Sequence, residues 1–454
     1  MTRPPFGFGP SDRGDDEGRP GGDDPFGLGG LLGGGDVFAT LQSLMSWTGG
    51  PVNWDLAQKV AGEAARAGDR PVTDAERREV EEACRLADLW LDAVTSLPAG
   101  GGDARAWSRT GWLESTLPAW KQLVEPVAGR VVAAMGQALE KGMASGDLAG
   151  GLAGAEGLPP EVAGMLGNLG PGGLGGALQG VMQQVGGFVF GAQVGQALGA
   201  LAGEVVSATE VGLPLGEPGR PVLLPAAVAA FGQGLEVPLD EVRLYLALRE
   251  CAHQRLFAHV PWLRAHLFDA VDAYARGIDV DLSAIEQAVG GFDPSDPESL
   301  QRAMGEGLFD ITPTPAQQAA LDRLETVLAL VEGWVDAVVD AAAGATLPSA
   351  VQLRETMRRR RATGGPAEQT FQALVGLQLR PKRLREAAAL WAAVAVARGA
   401  EGRDALWEHP DLLPGPSGLD DPEAFVGGGG TDWDAGLAAL GDDPGSEDPR
   451  APGV

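Results

Sequence analysis

Five consecutive residues, Arg249-Glu250-Cys251-Ala252-His253, have the types and spacing of a metal-binding helix in which one ligand is replaced. In an H-E-x-x-H helix, two histidines four residues apart share one face and bind zinc, and the glutamate takes a proton from the metal-bound water. Here Glu250 has the place of the base and His253 that of the second ligand. Arginine has the first place, and its guanidinium has no lone pair for a metal. The pattern fits a working metal site, a repaired one or a relic.

Three other histidines and a cysteine are the residues to consider as a further ligand. His259 lies just past the motif, His266 lies on the next predicted helix, and His409 is remote in sequence. Each reaches the site only if the fold brings it there, and an ordinary, partly exposed histidine is the simpler interpretation. Cys251 lies about 200° around a helix from His253, so we expect a small buried residue.

The composition of the chain limits its class and its partners. It has 454 residues, of which 44% are hydrophobic, as in a folded protein with a large core. The net charge of −28 argues against nucleic acids and anionic membranes as partners. Two cysteines and the lack of an apolar N-terminal segment predict a cytoplasmic protein without structural disulfides.

Both ends of the chain are rich in glycine, proline and acidic residues and show no hydrophobic period. We predict disordered tails over residues 1–36 and 426–454, and a similar composition begins near Pro414. Residues 37–425 are expected to form one mainly α-helical domain with a few short strands. Its parts are an N-terminal helical part (about 37–160), Gly-rich helices (about 161–207) and the motif-bearing part (about 208–425).

Hydrophobic periodicity and capping residues predict where the helices lie. Thr73 and Glu76 form a capping box, and the apolar residues behind it recur at helical spacing and stop before Pro98. Further helices are predicted over about 118–143, 316–343 and 382–397.

The motif itself lies on a helix that is apolar on most sides and is therefore expected to be buried. Asp240 is the expected N-cap of this helix, and Pro261 ends it, after which a new helix opens with Trp262. Short extended segments are expected at Val222–Leu224 and Leu235–Leu239.

Glycine recurs every four residues from Gly187 to Gly203, within a stretch without charged side chains, 162–203. Because glycine in a helix interior costs about 1 kcal/mol, we expect the close approach of a second helix to compensate. Glutamines in the stretch and the weak hydrophobicity of glycine and alanine disfavour a membrane span. A face for self-association is the remaining alternative.

Several blocks of the sequence, in this order, resemble a zincin-like family of zinc-dependent metalloproteases from actinobacteria, related to proteins associated with coenzyme F420 biosynthesis. The resemblance covers about residues 38–425 and implies a zincin-like multi-helix domain. The blocks are Gly50–Asp55, Gly195–Gly199, Val211–Leu215, Arg249–His253, Glu332–Asp336, and Leu406–Pro410 with Leu412–Pro414.

The resemblance also implies a set of site residues. Members with the full motif present a glutamate from an E-G-H-x-D block, which is the third zinc ligand by analogy with other zincins. Glu332 is at the matching position, Trp334 replaces the histidine of that block, and Asp336 is retained. The implied site has Glu250 as base and His253 and Glu332 as metal ligands, one short of the usual three. Asp336 is the best further carboxylate, as a ligand or to orient His253.

Arg249 suggests a different use of the same residues. Its guanidinium, placed where zinc would lie, can pair with Glu332 or Glu250 and neutralise buried acids without a metal.

Four consecutive arginines, Arg358–Arg361, form a second charged feature. On so acidic a chain we expect a helix end that meets acidic residues, with a phosphate or partner patch as the alternative.

Two functions follow from these expectations. The first is a zinc-dependent metalloprotease or hydrolase that cleaves a peptide or amide bond. The second is a catalytically inactive zincin-like scaffold that binds a protein, a peptide or a small molecule, and the replaced ligand favours it slightly. A third interpretation is a membrane-associated protein that uses the glycine stripe, the four-residue repeat from Gly187 to Gly203.

Overall fold

A computed structural model of the chain describes residues 49–144, 170–277, 314–344, 346–362 and 383–427. By its internal contacts the chain divides into Met1–Ser46 and Trp47–Val454, and every described residue belongs to the second unit. This part is mainly α-helical with one small sheet, as the sequence predicted. The predicted tails lie outside the described residues, except for Val426 and Gly427.

The described helices and strands are, in chain order, α1 (Trp54–Arg66), α2 (Asp74–Leu91), β1 (Arg105–Ala106), α3 (Arg109–Ala144), α4 (Gly170–Glu204), β2 (Val222–Leu223), α5 (Pro225–Gly232), α6 (Leu239–His259), α7 (Pro261–Arg276), α8 (Pro315–Ala343), α9 (Ala350–Ala362) and α10 (Leu384–Asp404). Two 3-10 turns (Ala405–Glu408 and Pro410–Leu412) and two short helices, α11 (Pro416–Asp420) and α12 (Pro422–Val426), follow.

Helix α2 begins at the capping box that the sequence predicted. The Thr73 hydroxyl accepts a hydrogen bond from the Glu76 backbone N–H, and the Glu76 carboxylate accepts one from the Thr73 N–H. The apolar face of the helix is buried, and Cys84 is one of its core residues. The prediction for this helix is confirmed.

Two predicted helix boundaries were wrong. Helix α3 begins at Arg109 rather than near 118, and Pro118 lies inside it. Proline breaks a helical hydrogen bond, but the completely buried Trp112 and Trp120 anchor the helix in the core on both sides of Pro118. The helix predicted over 382–397 instead runs from Leu384 to Asp404, across a kink at Gly399.

The segments before the motif helix agree with the sequence only in part. Val222–Leu223 is a strand, paired in parallel with Arg105–Ala106. Leu235–Leu239 is not a strand: a turn follows α5, residues 236–238 have no regular structure, and Leu239 already belongs to α6. Pro238 occupies the N-cap of α6 and Asp240 lies in its first turn, so the predicted aspartate cap was wrong.

The glycine stripe of α4 packs closely against α1, which is the second helix that the glycine repeat predicted. A Cβ at Gly195 would lie 2.7 Å from the Val60 Cβ, and one at Gly199 would lie 2.6 Å from the Ala64 Cβ. The Gly187 carbonyl also accepts a hydrogen bond of 2.8 Å from the Asn53 N–H. Of the helices that the structure describes, none combines the length and the apolar character that crossing a bilayer requires.

Helix α6 lies in the core of the molecule. Its residues are buried on every side from Leu244 to Phe257, because α2, α5, α7, α8, α9 and β2 all pack around it. Helix α8 packs between α6, α7 and α10, and its Gly333 lets α10 approach, since a Cβ there would lie 2.6 Å from the Ala387 Cβ. The chain remains helical after Pro414, in α11 and α12, contrary to its tail-like composition.

Candidate functional site

Helices α6 and α8 position most of the side chains that the sequence singled out. Arg249 and His253 are four residues apart on α6, and Glu332 and Asp336 are four residues apart on α8. Residues at that spacing share one face of a helix. The two faces meet in the core, and all four side chains are buried.

His253 and Glu332 are in direct contact, although 79 residues separate them. The His253 Nε2 lies 3.0 Å from the Glu332 Oε1, and the Nδ1 lies 2.9 Å from the Arg249 carbonyl oxygen. Since a carboxylate and a carbonyl only accept, both contacts are hydrogen bonds when the ring carries a proton on each nitrogen. The ring also stacks on Phe257.

The Arg249 guanidinium joins the two carboxylates of α8. Its Nη2 donates to the Glu332 Oε2 at 3.0 Å, and its Nη1 donates to the Asp336 Oδ1 at 2.5 Å. The Arg249 and Glu332 side chains are each 5% exposed. The expected pairing of Arg249 with Glu332 is therefore present, whereas no bond between Arg249 and Glu250 is found among the described residues.

Helix α9 adds two more guanidinium groups to this cluster. Arg361 Nη1 donates to the Glu332 Oε2, and Arg358 Nε lies 3.4 Å from the Asp336 Oδ2. Sequence reasoning predicted that the arginine run meets acidic residues, which is confirmed, but it did not connect the run with the motif. The spacing of 358 and 361, one turn apart on one helix face, was the signal that could have made this connection.

Charge interactions in this cluster keep the two carboxylates ionised. Burial by itself raises the pKa of Glu332, but Arg361, His253 and Arg249 lower it by more, so that it lies well below 4.5. The pKa of Asp336 is likewise lowered, with burial opposed chiefly by Arg249. Burial by itself lowers the pKa of Arg249, but Asp336, Tyr245 and Glu332 raise it by more, so that it lies above the usual value of arginine.

Glu250 is also buried on α6, but its carboxylate binds a different set of groups. One oxygen accepts from the Thr209 N–H at 3.2 Å and from the Thr209 hydroxyl at 2.5 Å. The other accepts from the Val222 N–H at 3.1 Å and from the Gln254 amide at 3.0 Å. These four bonds use the acceptor positions of a carboxylate and tie α6 to the strand β2.

The remaining candidates have other partners. Trp334 is buried and donates to Asp404 at 2.8 Å, and Cys251 lies against the backbone of Cys84 in the core. Among the three other histidines, His259 contacts the Ala99 carbonyl, His266 stacks edge-on against Trp262, and His409 accepts from the Asp411 N–H. Among the described residues, none of these three histidines bonds to Arg249, His253, Glu332 or Asp336.

The donor groups of this cluster do not fit a zinc ion. A catalytic zinc site uses three protein ligands with free lone pairs, but here Arg249 and Arg361 already occupy the Glu332 Oε2, and Arg249 and Arg358 bind Asp336. A divalent cation would have to enter beside three guanidinium groups. Within the described ranges, no group of three or more histidine, cysteine, aspartate or glutamate side chains has a metal-binding arrangement.

Comparisons with known proteins agree with the predicted family and with the fold. A family model described as "Zincin-like metallopeptidase" matches residues 52–426. Among solved structures, a protein from Chloroflexus aurantiacus described as a "putative hydrolase with a novel fold" is similar, with a TM-score of 0.54 and 18% sequence identity. The match covers 83% of this chain and 97% of that chain, and it shows a shared fold. No curated protein sequence matches the chain.

Proposed function

The chain belongs to the zincin-like metallopeptidase family, and from that premise we propose that it is a metal-free member that binds a partner instead of cleaving peptides. Arg249 stands at the position of the first histidine ligand of the motif, and its guanidinium replaces the zinc ion as the central cation. In this proposal the fold has been kept as a scaffold, while the metal chemistry has been lost.

The pairing of Arg249 with both carboxylates of α8 supports this proposal most directly. The two bonds link α6 to Glu332 and Asp336, across 83 and 87 residues of sequence. A planar guanidinium that bridges two carboxylates offsets one of their two negative charges in the core without a metal. Arg361 adds a second cation on the glutamate that the family resemblance assigns to the metal.

The competing function is that of a zinc-dependent hydrolase, with Glu250 as the base and His253 and Glu332 as ligands. The contact of His253 with Glu332 favours it, because the two donors lie close enough to share one ion. The four hydrogen bonds of Glu250 disfavour it, because a carboxylate held by Thr209, Val222 and Gln254 has no acceptor position left for a water proton.

The zinc content of the purified protein tests the proposal. Protein dialysed against a zinc-containing buffer and then against a metal-free buffer should retain far less than one zinc per chain, as measured by elemental analysis. Arg249→His restores a third ligand beside His253 and Glu332 and should raise the zinc content toward one per chain. The double variant Arg249→His, His253→Ala is the matched control and should return to the wild-type level.

One zinc per wild-type chain that disappears in both His253→Ala and Glu332→Gln would contradict the metal-free proposal. So would peptide hydrolysis by the wild type that Glu250→Gln abolishes. We place the partner among proteins, peptides and small molecules rather than nucleic acids, since the net charge of −28 repels a polyanion.

A further inference from the structure

The ion pairs around Glu332 and Asp336 contain more guanidinium groups than carboxylates. Three guanidinium groups, those of Arg249, Arg358 and Arg361, meet two carboxylates, those of Glu332 and Asp336. Within these ion pairs the surplus is one positive charge. The nearby pairs Arg354–Asp340 and Arg360–Glu210 are each balanced. The carboxylate of Glu250 lies outside this count, because its bonds among the described residues run to Thr209, Val222 and Gln254 rather than to these guanidinium groups.

The two guanidinium groups from α9 are the more exposed members of the cluster. Arg249 is 5% exposed and both of its terminal nitrogens are used, but Arg361 is 16% and Arg358 is 32% exposed. Within the described part of the chain, Arg358 forms one side-chain bond, from its Nε to the Asp336 carboxylate at 3.4 Å. Its two terminal nitrogens have no acceptor among the described residues, and they lie beside ion pairs in which guanidinium groups outnumber carboxylates.

From these observations we propose that Arg358, supported by Arg361, binds a carboxylate group of a small molecule or peptide at the mouth of this cluster. The inference rests on the proposed function, since it names the ligand of the metal-free site. A free guanidinium fork matches the two oxygens of a carboxylate and forms charge-assisted hydrogen bonds with them. One such ligand balances one surplus positive charge.

A carboxylate fits this place better than a phosphate. It is planar and singly charged, so it uses the fork of Arg358 fully. A phosphate carries nearly two negative charges at neutral pH, and the second would lie close to the ionised Asp336 and Glu332.

Calorimetric titration of the full-length protein tests this assignment. The probes are acetate, acetylated trialanine with a free C-terminal carboxylate, the same peptide as a C-terminal amide, and inorganic phosphate. The wild type should bind the free peptide about tenfold more tightly than its amide, the size of one charge-assisted pair. Acetate should compete with the free peptide, which separates recognition of the carboxylate from recognition of the peptide backbone.

Two arginine variants localise the effect. Arg358→Gln should bind the free peptide no better than the amide, while Arg359→Gln should keep the wild-type preference. Arg359 is the matched control because it carries the same charge on the next residue, is 76% exposed and pairs with Glu355. Circular dichroism of both variants should show wild-type helix content, since neither side chain is buried.

Three results would overturn the assignment: a wild type that binds free peptide and amide equally, phosphate bound more tightly than the carboxylates, or an equal loss in Arg358→Gln and Arg359→Gln. Zinc analysis of the same protein separates this failure from that of the proposed function. A zinc-free protein without the preference contradicts only the carboxylate site, whereas one zinc per chain, lost in His253→Ala, contradicts both.

Discussion

At the scale of single residues, Arg249 decides how the motif of this chain is to be understood. A buried guanidinium is costly in free energy unless carboxylates surround it, and Glu332 and Asp336 supply both partners here. The low pKa of both acids and the raised pKa of Arg249 express the same mutual stabilisation. Arg249, which replaces the first histidine of the motif, therefore pairs with Glu332, the carboxylate that the family resemblance assigns to the metal.

Truncation of Arg249 should destabilise the fold. Arg249→Ala leaves two buried carboxylates without one of their cations, and we expect the free energy of unfolding to fall by about 3–5 kcal/mol. Urea denaturation followed by circular dichroism measures it. The control is Arg276→Ala, which removes an exposed arginine paired with Asp272 one turn away and should change the free energy by less than about 1 kcal/mol. Equal stability of Arg249→Ala and the wild type would contradict a structural ion pair.

At the scale of secondary-structure elements, close helix packing determines which residues meet. The stripe of α4 allows its backbone to approach α1, and Gly333 of α8 does the same for α10. Such contacts form only because glycine has no side chain. Glycine is therefore favourable at these positions, although it is unfavourable at an ordinary helix position.

Alanine at two positions of the same stripe should have opposite effects. At Gly195 a new Cβ would lie 2.7 Å from the Val60 Cβ and 2.8 Å from the Ala57 carbonyl oxygen, so Gly195→Ala should cost about 1–3 kcal/mol. At Gly203 nothing lies within 4 Å of a new Cβ, and Gly203→Ala should gain up to about 0.5 kcal/mol. Thermal denaturation compares the two. A stable Gly195→Ala variant would contradict the close approach of α1 and α4.

At the scale of the whole molecule, Asp404 connects parts of the chain that are far apart in sequence. Its carboxylate accepts hydrogen bonds from the Thr95 hydroxyl, the Ser96 N–H and the Trp334 ring, and from Arg403. It therefore links the end of α10 to the segment after α2 and to α8, the helix that carries Glu332. Burial raises the pKa of Asp404, but Arg403 and the other donors lower it below 3.8.

The lowered pKa of Asp404 predicts how its contribution depends on pH. Because the folded pKa lies below the unfolded value, the stabilisation is complete well above pH 3.8 and is lost as the pH falls below it. Asp404→Asn should reduce the free energy of unfolding by about 1.5–3 kcal/mol at pH 7, and the difference from the wild type should shrink toward pH 3. Asp411→Asn, at an exposed acid, should show neither effect. A difference independent of pH would contradict the assignment.

The sequence by itself determined the helical class, the capping box of α2, the course of α8 and the buried helix with Arg249 and His253 on one face. These features depend on periodicity and on neighbours within a few residues, and local physics fixes them. The family resemblance further singled out Glu332 and Asp336, and the structure brings both to the motif helix.

Only the tertiary structure decided which acids Arg249 meets, where the carboxylate of Glu250 lies, and that Arg358 and Arg361 complete the cluster. The bonds of Glu250 to Thr209 and Val222 depend on how the chain before α6 folds back over it. The place of α9 depends on its contact with α6 and on its ion pairs with α8. Ion pairs between residues tens of positions apart leave no periodic trace in a sequence, because they form only when separate helices pack together.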